Sequence, residues 1–259
     1  MKQSRFQWAA TAYLFFGFLF LYAPIFMLIV FSFNDSKVNA VWTGFTFKWY
    51  LQLFSNKGVL EATENSLAIA LVSTLASTML GTVTAVAMYK FKFKGKGVLD
   101  ALLYIPIVIP EIVMGIAMLA LFSILQVNLG MATLIIAHIT FCLPFVILVV
   151  RARMQGFDPS LEEAAMDLGA NAWKTFLHVT LPIILPGIVA GALLALTLSL
   201  DDVIISFFVA GPANTTLPLK VFSMVRTGVS PEINALSTLL LLVVLPLAVI
   251  AERIRHKNS

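Results

Sequence analysis

Two groups of residues in this 259-residue chain have types and spacings that could do chemistry. Asp201-Asp202 closes one long apolar run and Glu111 lies inside another. An ionisable group inside hydrocarbon is costly, so acids at such depth mark a substrate or ion pathway by default. Two adjacent carboxylates suit a cationic, amine-bearing solute, whose desolvation they offset, and they repel an anion. Plainer accounts stand beside this one. Asp201-Asp202 can be a helix-end pair at the outer interface. Glu111, which follows Pro106 and Pro110, can be half of an interhelical salt bridge or a protonated hydrogen-bonding group. No metal site is expected, since no His or Cys adjoins the acid pair in sequence and His138, His178 and His256 are scattered. The second group is Glu163-Ala164-Ala165 with Gly169 and Leu181-Pro182, in a polar gap between apolar runs where a charged, ordered loop meets a partner.

The elements that position these groups follow from composition. Sixty per cent of residues are apolar, 12% are charged and the mean hydropathy is +0.96. A soluble domain carries about twice that charge fraction, so the solvent for this fold is lipid. Backbone groups in hydrocarbon must be satisfied internally, and continuous apolarity without strand alternation selects helices over a barrel. About 20 residues at about 1.5 Å each cross the bilayer core. Uncharged stretches therefore predict an all-α, polytopic membrane protein with six crossings, at 9–33, 66–89, 101–125, 131–150, 182–200 and 233–251. The first is too long for a signal-peptide core and lacks a small-residue cleavage site, so it is expected to be retained. The third and fourth are joined only by the turn 126–130, which predicts an antiparallel hairpin. The single cysteine, Cys142, excludes an intrachain disulfide and is expected simply to pack.

Lys and Arg collect in cytoplasmic loops. Twelve of the seventeen basic residues fall at the N-terminus (Lys2, Arg5), in the second loop (Lys90, Lys92, Lys94, Lys96), in the fourth (Arg151, Arg153, Lys174) and at the C-terminus (Arg253, Arg255, Lys257). The other side holds Lys37, Lys48, Lys57, Lys220 and Arg226. Both termini are therefore expected in the cytoplasm. The Lys90–Lys96 run is expected to snorkel to anionic headgroups of membrane lipid, so the basic balance implies topology and no nucleic acid. On the outer side, Trp42, Trp49 and Tyr50 are either interfacial aromatics or a docking surface for an external protein.

In the fourth loop, Asp158-Pro159-Ser160-Leu161-Glu162-Glu163 offers two overlapping helix starts: Asp158 as cap with Pro159 at the first position, or Ser160 and Glu163 as a capping box. Glu162 and Glu163 favour the helix dipole, Ala164 and Ala165 permit close approach, and Gly169 suits a left-handed stop. Asn171 can cap a second short helix, to about His178, before Leu181-Pro182 turns the chain back into the membrane. On capping and periodicity alone, a surface helix pair without a partner is as good a reading.

The spacing changes that. Glu163-Ala164-Ala165, three residues, Gly169, nine residues, then Val179-Thr180-Leu181-Pro182 resembles the EAA loop of bacterial ABC importer permeases, departing only by Val179 for Ile. Further segments resemble the polyamine, spermidine/putrescine, branch of that family: Ser32-Phe33-Asn34, His138–Cys142, Leu198–Asp202, Gly211-Pro212, Thr216–Leu219 and Gly228–Ala235. The resemblance implies a type I ABC importer permease fold, with residues 1–259 as one transmembrane domain and a cytoplasmic coupling loop at about 151–181. It implies that Glu163, Ala164, Ala165, Gly169, Leu181 and Pro182 couple to an ATPase, and that Asp201, Asp202 and Glu111 line the substrate path. It further implies a bacterial inner-membrane location and three kinds of partner: a homologous second permease, an ABC ATPase dimer and a periplasmic polyamine-binding protein. No cofactor is implied in this chain. It has no Gly-rich phosphate loop of the Walker type, so ATP and Mg belong to the partner ATPase. The alternatives are a permease for another small solute, a self-contained secondary carrier or channel for cations, and a scaffold that only anchors other subunits.

Overall fold

The computed structural model describes residues 2–36, 41–226, 228 and 230–257, with side chains described at 8, at 10–36 and from 41 to 246 within those bounds. Lys37, and the side chains of Lys2, Arg5, Arg253, Arg255, His256 and Lys257, lie outside the described residues. The elements in chain order are α1 (Lys2–Phe31), α2 (Lys48–Ser55), α3 (Lys57–Lys90), α4 (Lys96–Val108), α5 (Glu111–Ile124), α6 (Met131–Met154), α7 (Ser160–Asp167), α8 (Ala172–Thr175), a π-turn (Phe176–Thr180), α9 (Leu181–Asp201), α10 (Ile204–Val209), α11 (Leu217–Arg226) and α12 (Pro231–Lys257). Among the described residues the sole β-type pairing is the isolated bridge between Asn34 and Phe45.

Among the described residues, four helices are long and apolar enough to cross a bilayer: Ala10–Phe31, Lys57–Lys90, Met131–Met154 and Ala172–Asp201. The third expected crossing is not one straight helix: α4 and α5 meet at a bend of 110° and make at most one broken span or a re-entrant loop. Pro110 disfavours helical geometry at the residue before it and lacks an amide hydrogen. Ile109 is accordingly extended, at φ −70 and ψ 134. The apolarity that defined this crossing carries no information about such a break; Pro110 is the residue that marks its place. The last expected crossing lies in the 27-residue α12. Its described apolar portion, Pro231–Pro246, falls short of a span, and the remainder to Ala251 lies beyond the described side chains.

The chain divides into two compact units, Met1–Leu60 with Val221–Leu245 and Glu61–Lys220 with Pro246–Ser259. In the first, buried Asn34 organises the loop that follows α1. Its Nδ2 donates to the Val41 carbonyl at 2.8 Å, its Oδ1 accepts from the Thr43 amide at 2.9 Å, and its carbonyl accepts from the Trp49 indole at 2.7 Å. Trp49 is thus buried and structural, whereas Trp42 is exposed and meets Phe31 edge-on. Asn56 donates to Glu232 at 3.0 Å, fixing the start of α12 within this unit.

The second unit is built on α6. That helix buries residues around much of its circumference, among them Leu134, Phe141, Val146, Ile147, Val150 and Met154, and α9 packs along it. Glycine permits the approach on both sides of Val146. A Cβ at Gly81 of α3 would lie 2.7 Å from Val146 Cγ1, and one at Gly191 of α9 would lie 3.3 Å from it. Lipid supplies little drive to pack apolar helices together, so close backbone approach supplies the contact instead. The turn 126–130 lies between α5 and α6 as expected, but the main partner of α5 is α10. There a Cβ at Gly115 would lie 2.6 Å from the Phe208 ring.

Candidate functional site: a polar loop and a group of carboxyls

The loop 151–181 folds from local rules. Asp158 Oδ1 accepts the Ser160 amide at 2.9 Å and the Asp158 carbonyl accepts the Leu161 amide at 3.2 Å, so the first of the two possible helix starts is used. The backbone and side-chain hydrogen bonds from Ser160 hold the exposed Asp158 carboxyl below its ordinary range. At the other end of α7, Gly169 sits at φ +89. Its amide bonds to the Met166 carbonyl at 2.9 Å and the Ala170 amide to the Ala165 carbonyl at 3.1 Å, the paired Schellman closure. Asn171 then accepts the Lys174 amide at 2.8 Å and caps α8.

These bonds aim the loop's side chains outward. Glu163, Ala164, Met166, Leu168 and Gly169 are all exposed, Leu168 by 90%, and Trp173 stacks against Phe176 with ring centres 6.0 Å apart. Behind this surface, Glu162 Oε1 takes the Lys90 ammonium at 2.7 Å and the Thr180 hydroxyl. Burial opposes ionisation of Glu162, but the hydrogen bonds from Lys90 and Thr180 and the charge of Lys90 outweigh it and hold the carboxyl below the usual glutamate range. One expectation is corrected here. Leu181-Pro182 makes no turn, because the helix runs unbroken from Ala172 to Asp201. The π-turn explains how: the Leu181 amide reaches back five residues to the Phe176 carbonyl, a wider turn that admits the proline ring at the start of α9.

At the far end of α9 the chain extends at Asp202, with φ −66 and ψ 125. Asp202 is buried and caps α10, its Oδ1 accepting the Ile205 amide at 3.1 Å and its Oδ2 the Ser206 amide at 2.8 Å and hydroxyl at 2.7 Å. His138 of α6 completes the cluster. Its Nε2 lies 3.5 Å from Asp202 Oδ2 and 3.1 Å from Ser206 Oγ, and its Nδ1 lies 2.7 Å from Ser199 Oγ. The histidine that looks isolated in the sequence is therefore a neighbour of Asp202 in the fold. Asp201 is exposed, so the two adjacent carboxylates occupy different environments. Glu111, also exposed at the start of α5, is close enough to both to interact with them electrostatically. Asp201 and Glu111 are thus exposed carboxyls, whereas Asp202 is buried and engaged by donors. His138, Ser199 and Ser206 are the members that sequence reasoning missed.

Residues 77–256 match the model of the family described as binding-protein-dependent transport system inner membrane component. The chain is 45% identical over 242 residues to the spermidine/putrescine transport system permease protein PotC of Escherichia coli, covering 93% of this chain and 92% of that protein. It is 46% identical over 232 residues to the putrescine transport system permease protein PotI of the same organism, covering 87% and 83%. Among solved structures, a chain of a bacterial ABC transporter involved in the import of the acidic polysaccharide alginate superposes with a TM-score of 0.77, at 18% identity, over 99% of this chain and 96% of that one. At that identity the likeness concerns the fold alone. Apolar helices of bilayer length, the permease fold and a family match over most of the chain converge: the chain belongs to the inner membrane components of binding-protein-dependent transport systems, the permeases of ABC importers.

Proposed function

We propose that this permease imports polyamines, spermidine or putrescine or both, as half of a translocation pathway completed by a homologous second permease. The observation that carries the substrate class is the near full-length identity to two polyamine permeases. The carboxyls support it, since the exposed Asp201 and Glu111 offer oxygen acceptors suited to the N–H donors of an amine-bearing solute. A periplasmic polyamine-binding protein delivers that solute. An ABC ATPase dimer, holding the ATP and Mg, docks on the exposed surface around Glu163, Ala164, Ala165 and Gly169. Closure of the ATPase dimer moves α7 and α8, and the unbroken helix from Ala172 carries that motion to the acids at the end of α9.

Uptake of labelled spermidine and putrescine tests this in proteoliposomes containing both permeases, the ATPase and the binding protein. ATP-dependent polyamine uptake is expected. It should fall in Asp201→Asn with Glu111→Gln while the ATPase still co-purifies. ATP-driven uptake of another solute with none of either polyamine would overturn the substrate, and uptake driven by a membrane gradient without ATP would point to a secondary carrier.

A further inference from the structure

The eight residues of α7 bury none of their side chains, so apolar packing does little to hold this helix against the membrane-spanning elements behind it. One side chain ties it down. Glu162 in its first turn reaches Lys90, the last residue of α3, and Thr180, the last residue of the π-turn that leads into α9. Both partners are more than surface neighbours. Thr180 is fully buried, the Lys90 side chain is 27% exposed and that of Glu162 17%. A partly sequestered ion pair is screened less than an open one, and the added hydroxyl fixes the carboxylate's direction. A push on an untied α7 would be absorbed by the flanking turns at Asp158 and Gly169; with Glu162 held, it reaches the cytoplasmic ends of two membrane helices together.

We propose that Glu162 is a positioning residue that transmits the movement of α7 to α3 and α9 through the Lys90–Glu162–Thr180 contact. This rests on the reading of α7 as the ATPase-docking helix. It gives Glu162 a task distinct from that of Glu163, which faces outward to the docking partner.

The test uses the reconstituted complex of both permeases, ATPase and binding protein, and measures co-purification of the ATPase, ATP hydrolysis and polyamine taken up per ATP. In Glu162→Gln and Lys90→Gln the ATPase should stay bound and hydrolyse ATP, while uptake per ATP falls about fivefold or more, the lower edge of ordinary coupling between sites. The charge swap Lys90→Glu with Glu162→Lys should recover part of that ratio, which a merely structural role would not predict. If Glu162→Gln fails to insert, Thr180→Val removes another arm of the contact and should lower the same ratio. An unchanged ratio in the variants that insert, or a swap no better than its single parents, sinks the proposal. The underlying docking assignment fails separately: it falls if Glu163→Lys leaves the ATPase bound and uptake unaltered.

Discussion

At Asp202 both carboxylate oxygens are engaged by α10, and His138 stands behind them, whereas Asp201 one position earlier is exposed. Removing the Asp202 carboxylate strands the buried Ile205 and Ser206 donors, at about 1–3 kcal/mol for a stranded group. For a chain of this length each kcal/mol moves the unfolding temperature by about 2–4 °C. Asp202→Ala is therefore expected to lower the Tm of the detergent-purified protein by several degrees, and Asp201→Ala to leave it unmoved while lowering uptake. Equal loss of Tm in the two variants would show that the acids are not divided in this way. The sequence displays two equal acids, and only part of their difference is legible in it. A carboxylate three residues before the Ile205 amide is at cap spacing, which is a local signal. The contribution of His138 has no such signal, because 61 residues separate it from Ser199 and 68 from Ser206.

Among the elements, those set by short-range chemistry were the legible ones. The start of α7 at Asp158, its stop at Gly169 and the cap at Asn171 each depend on bonds within six residues. The bend between α4 and α5 is marked in the sequence only by Pro110, and the size of the bend and the short α10 were not legible, because apolarity reports burial in lipid or protein without reporting direction. The register of α3 on α6 is equally hidden in sequence, yet it yields a sharp expectation. A methyl group at position 81 would approach Val146 Cγ1 to 2.7 Å and its Cβ to 2.9 Å, and overpacking of this kind costs about 1–3 kcal/mol. Gly81→Ala should thus destabilise the purified permease, and Gly81→Ala with Val146→Ala should recover stability relative to the sum of the two single changes. Simple additivity in thermal unfolding would place the two residues out of contact.

For the molecule as a whole, we propose that the loop 151–181 faces the cytoplasm. Charge argues for this: the cytoplasmic assignment collects twelve of the seventeen basic residues, and cytoplasmic retention of Lys and Arg near spans is the dominant determinant of orientation. The geometry is compatible, since the helix Ala172–Asp201 is 30 residues long, about 45 Å at 1.5 Å per residue, and so exceeds the hydrocarbon thickness of about 30 Å. Its two ends, one in the coupling loop and one at the acids, can then lie near opposite faces. Two sites report the sidedness. Leu168→Cys sits at a 90% exposed position of the loop 151–181, Trp42→Cys at a 45% exposed position of the loop that follows α1, and the native Cys142 is buried. A membrane-impermeant maleimide added to intact spheroplasts should label Trp42→Cys at once and Leu168→Cys only after permeabilisation. The reverse pattern would invert the permease and place the ATPase-docking surface where no ATP is available, overturning the transport direction together with the topology.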